Sequence, residues 1–273
     1  PPSPRLGDLV AVEVRAPGSK AGSSTGEPVL HAFFCQHPLV PVSGGWRGFI
    51  AVPTDTSTGT HVVEVRGFDR AASPLRARLR VRTRAFETTE LRVAPRFTRK
   101  KSPQLKARLA REQSRFDAVW SGSATRWRAR GPAAAPAGLP TEGRRTGRFG
   151  TRRTFNGTVK SAHYGLDLSA PPGRPVGAAW PGAVALTGHM WGSGKTVVLD
   201  HGAGVFSLYF HLRRIAVEPG AEVAAGQQIG RVGQTGRVTG PHLHFAVAVQ
   251  CRADRGDGEP RSMYVDPEPL LAR

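Results

Sequence analysis

His242-Leu243-His244-Phe245-Ala246-Val247-Ala248-Val249 alternates without a break. Leu243, Phe245, Val247 and Val249 share one parity, while His242, His244 and Ala246 share the other. Side chains of a strand point in turn to its two faces, so this stretch predicts a strand with one apolar face and two imidazoles on the other. Residues 205–212 read the same way. Phe206, Leu208, Phe210 and Leu212 fall on one parity, with Ser207, Tyr209 and His211 opposite. Two histidines at i and i+2, with a third on a similar strand, are costly to explain as packing. From about 144 to 266 the chain continues as short strands and Gly-rich turns, with no convincing helix.

Further toward the N-terminus the pattern is again period 2. Val10, Val12 and Val14 alternate with Ala11, Glu13 and Arg15, and apolar runs follow at 29–35, 49–52 and 61–66. At 75–85, Leu75, Ala77, Leu79, Val81 and Ala85 alternate with Arg76, Arg78, Arg80, Arg82 and Arg84. This predicts a strand that buries its aliphatic side and shows five arginines to solvent, within a small β-sandwich. Ser102-Pro103 looks like an N-cap followed by proline in the first turn. Leu105, Leu109, Phe116, Val119 and Trp120 then follow at helical spacing as far as Ser121-Gly122. Residues 129–143 are Pro/Ala/Gly-rich and read as a linker or long exposed loop. The expected class is therefore mostly β, in three parts: a β-sandwich-like domain over 1–97, a connector helix and linker over 98–143, and an antiparallel β-sheet domain over 144–273.

With 273 residues, of which 39% are hydrophobic and 22% charged, the chain can build real cores and is not expected to be disordered throughout. It holds no apolar run near the roughly 20 residues that cross a bilayer as a helix. It starts at Pro1 without an initiator Met, a charged n-region or an apolar h-region, which predicts a processed product. Cys35 and Cys251 form no metal motif, and spacing alone leaves their pairing open. The net charge of +19 is uneven: residues 1–60 balance 4 basic against 4 acidic groups, whereas residues 61–130 carry 19 and 6, a net of +13. Such a field favours an anionic polymer or surface, and solvated arginines would explain it equally well.

The chemistry gathers around the histidines. His163-Tyr164-Gly165-Leu166-Asp167 places a nitrogen and an oxygen donor four residues apart. A fully extended strand would separate their Cα atoms by ~13 Å, so a bend near Gly165 is expected if both are to reach one ion. A third donor is offered by the His-Leu-His strand, and either of its imidazoles qualifies. Zinc is the first choice for a His/Asp set, and three protein ligands leave a position open for water, as in hydrolytic sites. Imidazoles outside the coordination shell could then exchange protons. The sequence has neither a HExxH helix nor the H-x-E…P-C-x-x-C pattern of zinc deaminases.

Over roughly 149–267 the sequence resembles the lysostaphin/LytM-type zinc endopeptidases of bacterial cell walls. His163-Tyr-Gly-Leu-Asp167 resembles the family's H-x-x-x-D. Leu208-Tyr209-Phe210-His211-Leu212 resembles its Y-x-H-L strand, and Gly240-Pro241-His242-Leu243-His244-Phe245 its G-P-H-L-H-F signature. The resemblance implies His163, Asp167 and His244 as ligands of one Zn2+ ion, with His211 and His242 as catalytic histidines that do not bind it. It also implies that Gly226-Gln-Gln-Ile-Gly230 and Gly233-Gln-Thr-Gly236 line a narrow groove, although ordinary hairpin turns would read alike. One departure is Ala246, where the family often has an acidic residue; altered support of the site is expected there. Asn156 matches a polar position and carries no assigned role. His31, His37, His61, His189 and His201 read as structural or surface groups, and Lys195, Tyr164 and Arg152 as packing or solvated side chains.

The expectation is a zinc-dependent endopeptidase that hydrolyses the peptide cross-links of bacterial peptidoglycan. It would be periplasmic, envelope-bound or secreted, monomeric, and held by its positive charge on anionic wall or envelope polymers. One alternative is a non-catalytic LytM-like regulator of other wall hydrolases, which the intact ligand set disfavours. Another is a basic polyanion-binding module; the arginine stripe lacks the aromatic interleaving of single-strand binders, so no specific nucleic acid is expected.

Overall fold

The computed structural model describes residues 3–15, 28–67, 73–122, 136, 138–157, 159–253 and 260–271. In chain order the first part contains β1 (Leu9–Arg15), β2 (Val29–Ala32), β3 (Cys35–Pro38), β4 (Val40–Val42), β5 (Gly45–Ala51), β6 (Gly59–Arg66), β7 (Leu75–Val81) and β8 (Thr88–Leu91). A 3-10 turn (Pro95–Phe97) leads to α1 (Pro103–Ser121). Next come β9 (Arg144–Gly147), β10 (Arg152–Phe155), β11 (Val159–Ala162), β12 (Leu166–Ser169), β13 (Pro175–Gly177), β14 (Gly182–Met190), β15 (Gly194–Asp200) and β16 (Val205–Leu212). The chain closes with β17 (Arg214–Ile215), β18 (Glu222–Val223), β19 (Gln228–Arg231), β20 (His242–Ala253), β21 (Pro260–Val265) and α2 (Glu268–Leu271). The class is mostly β, as expected.

β20 is the strand on which the rest is hung. It pairs antiparallel with β16, β12 and β21, and its end continues onto β3, so one twelve-stranded sheet runs through both halves of the chain. Both faces of β20 are covered. Leu243, Phe245, Val247 and Val249 join Leu166, Leu168, Trp180 and Tyr209 in one core. Ala246 and Ala248 lie in a second core with Phe206 and Leu208, under Val119 and Trp120 of α1. Small side chains at 246 and 248 suit a helix packed on that face. Burying Val119 contributes roughly 1.5–3 kcal/mol.

α1 begins as its sequence predicts, with the Ser102 Oγ accepting from the Leu105 N–H at 3.2 Å and Pro103 in the first turn. It ends at Gly122. Its Glu112 carboxylate accepts from the Trp191 N–H (2.9 Å), and Arg115 Nη2 donates to the Thr187 carbonyl (2.7 Å), tying the helix to β14 and the turn after it.

At the N-terminal end, the sheet β1-β5-β4 faces β3-β2-β6-β7 across Leu30, Ile50, Val63, Val65 and Leu79. Three local readings need correction. The run 29–35 is a hairpin rather than one strand: Ala32 pairs with Cys35, and Phe33 and Phe34 form the two-residue turn at φ +50° and +63°. The strand expected over 75–85 stops at Val81, with Leu79 and Val81 buried but Leu75 half exposed. Arg84 faces the protein and ion-pairs with the buried Asp266 instead of solvent. Of the loop expected over 129–143, residues 129–135 and 137 lie outside the described residues. Near its end Pro140 and Thr141 are buried, with Thr141 Oγ1 donating to the Pro175 carbonyl, while Leu139, Glu142 and Gly143 are exposed.

Cys35 and Cys251 form a disulfide, with Cα atoms 5.2 Å apart and a separation of 216 positions in sequence. It closes beside the two-residue ladder between β20 and β3. Replacing both cysteines by serine should lower unfolding stability by about 2–4 kcal/mol, read as a shift of the urea midpoint of the full chain. An unchanged midpoint would mean that the ladder and the cores alone secure this junction.

Candidate metal centre

The register of two strands assembles the centre. β12 lies beside β20 with Asp167 directly opposite His244, and Leu166 and Leu168 on the other parity are held in the core. Directly opposed side chains share a face. The chain bends at Gly165, as the spacing of His163 and Asp167 requires, and brings the His163 ring in from the side. A Cβ on Gly165 would lie 2.7 Å from the His244 ring and 2.5 Å from the Phe245 carbonyl. Only glycine lets the chain turn this close to the imidazole.

The result is a triangle of donor atoms. His163 Nε2, Asp167 Oδ1 and His244 Nδ1 lie 2.9 Å from one another. They form the metal-capable group of His and carboxylate side chains among the described residues. His163 Nδ1–H donates to the Arg148 carbonyl at 2.8 Å, which holds the ring with Nε2 turned toward the other two donors. Burial pushes the His244 imidazole down to about 4, outweighing the hydrogen bond and charge of Asp167, so it is neutral at pH 7. Burial would raise the Asp167 carboxyl. The hydrogen bonds and charges of His163 and His244 more than reverse this and hold it well below the ordinary carboxylate range. Two imidazoles and a carboxylate suit zinc, which takes such donors at ~2.0–2.2 Å.

His211 and His242 stand beside the triangle. Their ring centroids are 4.9 Å apart, and that of His211 is 6.0 Å from His244. His211 Nδ1–H donates to the Thr235 carbonyl and His242 Nδ1–H to the Gly240 carbonyl, both at 2.9 Å, leaving Nε2 of each ring for chemistry. Burial, then the neighbouring His242 and His244, push His211 well below the usual imidazole range.

Regular alternation would not have put His211 here. Phe210 pairs with His244 and Leu208 with Ala246, so the even residues of β16 share the face of the His-Leu-His imidazoles. Tyr209 lies in the opposite core, with its OH accepting from the Ala179 N–H and the Ser207 hydroxyl. Neither parity of β16 faces solvent: the strand is buried on both sides. His211 reaches the centre because it adopts φ +65°, where the β15–β16 register slips by one residue. A bulge, rather than parity, brings the three imidazoles to one surface.

The centre lies in a groove of about 410 Å3. Part of one wall comes from the N-terminal half of the chain, because β8 pairs in parallel with β10 and places Leu91 and Val93 on the groove. Asn156 secures that segment, bonding the Val93 N–H at 2.9 Å and the Val93 carbonyl at 3.0 Å, and does not line the groove. Tyr164 does line it, stacked on Tyr264. Lys195 is tied by Nζ to the Arg213 carbonyl and Arg152 is exposed, whereas Ala246 is sealed beneath α1. His31, His37, His61, His189 and His201 lie elsewhere.

Two groove residues escaped the sequence reading. Arg153 Nη2 donates to Asp167 Oδ2 at 2.7 Å, on the carboxylate oxygen turned away from the donor triangle. The signal was the pair Arg152-Arg153: on a strand with one face outward, only one of two neighbours can point to solvent. The other residue is Arg237, half-buried with its guanidinium 4.5 Å from the centre of the Phe155 ring.

Asp167 on β12, His244 on the adjacent β20 and His163 from the bend before β12 are a set of donors that can hold a metal ion, with two more imidazoles alongside. Among known proteins, the profile described as Peptidase family M23 matches residues 161–256, which contain four of these five side chains in two of the motifs and the fifth between them. The chain carries a Peptidase family M23 domain over these residues. It is 42% identical over 105 residues to the peptidoglycan DD-endopeptidase ShyA of Vibrio cholerae, covering 38% of this chain and 24% of that protein. A crystal structure assigned as peptidase M23 from Pseudomonas aeruginosa shares 27% identity over 98% of this chain and 95% of that one, with a TM-score of 0.65. The catalytic domain of lysostaphin from Staphylococcus simulans is 32% identical over 48% of this chain and 92% of that domain, with a TM-score of 0.39. The chain spans about a quarter of the length of the curated relatives it matches.

Arg153→Ala should free Asp167 to rotate and weaken zinc binding by about tenfold to a hundredfold, measured by competition with a chromogenic chelator. Gly165→Ala should do the same by displacing His244. Unchanged affinity in both variants would remove Arg153 and Gly165 from the account of the centre.

Proposed function

We propose that the chain is a zinc-dependent endopeptidase that cleaves peptide cross-links of bacterial peptidoglycan. The observation that carries this reading is the donor triangle of His163, Asp167 and His244 with the Nε2 atoms of His211 and His242 left over beside it. Zinc bound there supplies a Lewis acid for the scissile carbonyl and an activated water. The protein does the rest. His211, kept neutral by burial, accepts a proton at Nε2, and its ring is held for that by the Thr235 carbonyl. His242 Nε2, 3.7 Å from Asp167 Oδ1, shares the return of the proton to the leaving amine and the support of negative charge on the carbonyl oxygen. Leu91, Val93 and the Tyr164–Tyr264 pair confine the peptide along the groove.

The name of the relative ShyA, a DD-endopeptidase, supports a cross-link between D-Ala and diaminopimelate as the bond cleaved. The Cys35–Cys251 disulfide supports action outside the cytoplasm, where such bonds persist. Among the described residues no helix is long and apolar enough to cross a membrane. We assign residues 1–97 to positioning, 98–143 to connection and 144–273 to catalysis, in a monomer. Arg76, Arg78, Arg80 and Arg82, all exposed on or beside the edge strand β7, provide a basic face for anionic wall polymers.

Asp167→Ala should lose bound zinc and the release of peptide fragments from purified sacculi. His211→Ala and His242→Ala should keep zinc and lose about 100-fold to 10,000-fold in rate. Equal digestion by wild type and Asp167→Ala, followed by chromatography of the released fragments, would overturn the proposal and favour a non-catalytic role.

A further inference from the structure

The groove is electrostatically lopsided. Among the described residues that line it, Asp167 is the single acid, and Arg153 and Arg237 are the two cations. Arg153 has a partner in Asp167. Arg237 has no ion pair with any described residue: its guanidinium rests against the face of Phe155, and its backbone N–H donates to the Gly192 carbonyl at 2.7 Å. Its pKa is pushed down by burial and then by the charge of Arg153, so the second cation is held there at a cost that an anion would relieve. A divalent ion in the donor triangle would make the groove more positive still.

The backbone fixes Arg237 relative to the centre. Thr235, whose carbonyl holds His211, is followed by Gly236 at φ +82° and then by Arg237. The Thr235 hydroxyl donates to the Leu212 carbonyl and accepts from the Lys195 N–H, both at 2.8 Å, so the turn is fastened on both sides. A Cβ at Gly236 would meet Gly194 N and the Gly192 carbonyl at 2.5 Å. The loop that holds the His211 ring therefore presents a planar, half-buried guanidinium two residues further on, in the same groove.

We propose that Arg237 is a specificity-determining residue that binds a free carboxylate of the peptide substrate, next to the amide being cleaved. This rests on the peptidase reading and deepens it. A cross-link to diaminopimelate has such a group, because the carbon that bears the acylated amine also carries a carboxylate. A guanidinium can take both carboxylate oxygens at once, which an amide cannot match.

The test uses the zinc-loaded full chain and two labelled cross-linked peptides that differ only in having that carboxylate free or amidated. Equilibrium binding and, separately, kcat and KM are measured for wild type, Arg237→Gln and Arg237→Lys, with zinc content as the check of folding. Wild type should prefer the free carboxylate by roughly tenfold to a hundredfold. The preference should collapse in Arg237→Gln through KM more than kcat, and return in part in Arg237→Lys. Equal weakening toward both peptides, or a preference that survives in Arg237→Gln, would overturn the proposal; the latter would place the carboxylate on the metal. If neither peptide is cleaved by any form, the peptidase reading fails, and the binding ratios still decide the role of Arg237.

Discussion

Asp167 stands opposite His244 across two hydrogen-bonded strands, and the site depends on that register. A slip of one residue would turn Asp167 into the core and Leu166 or Leu168 toward the imidazoles. The core forbids the slip, because both leucines are fully buried beside Trp180 and Phe245. Apolar burial thus aims the donor atoms. Arg153 adds the second constraint by holding the outer oxygen of the same carboxylate, which leaves the inner one to His163 and His244.

The two halves of the chain are less separate than their compositions suggest. The twelve-stranded sheet, the disulfide and α1 all join them, and the parallel pairing of β8 with β10 carries N-terminal residues to the groove itself. Val93, Phe97 and Phe155 make a small core there with Trp191 at its edge. The N-terminal segment is consequently part of the wall along which a peptide would lie, and changes in it are expected to be felt at the site without touching a ligand.

Much of this was legible in the sequence because the relevant signals are local. The strand at 242–249, the capped helix at 103–121 and the bend at Gly165 each follow from spacing within a few residues. The ligand set came from three motifs whose spacing resembles one family. What was not legible depends on partners distant in the chain. Parity read from the sequence put His211, His242 and His244 on one surface, but in the paired strands it is Phe210 that shares the face of His244; only the left-handed turn at His211, at the mismatch with β15, brings its ring there. Arg153 and Arg237 looked like two more arginines in a chain with 39 basic residues. Their meaning lies in Asp167 and Phe155, on other strands. Likewise the apolar run at 29–35 conceals a turn, because nothing local shows that Phe33 and Phe34 take positive φ.

X-ray absorption at the zinc edge of the purified chain tests the central claim most directly. The account predicts one zinc per chain with first-shell nitrogen and oxygen at ~2.0–2.1 Å and two imidazole scattering patterns. Sulfur in the first shell, four imidazoles, or zinc bound equally well after Asp167 and His244 are both replaced would contradict it.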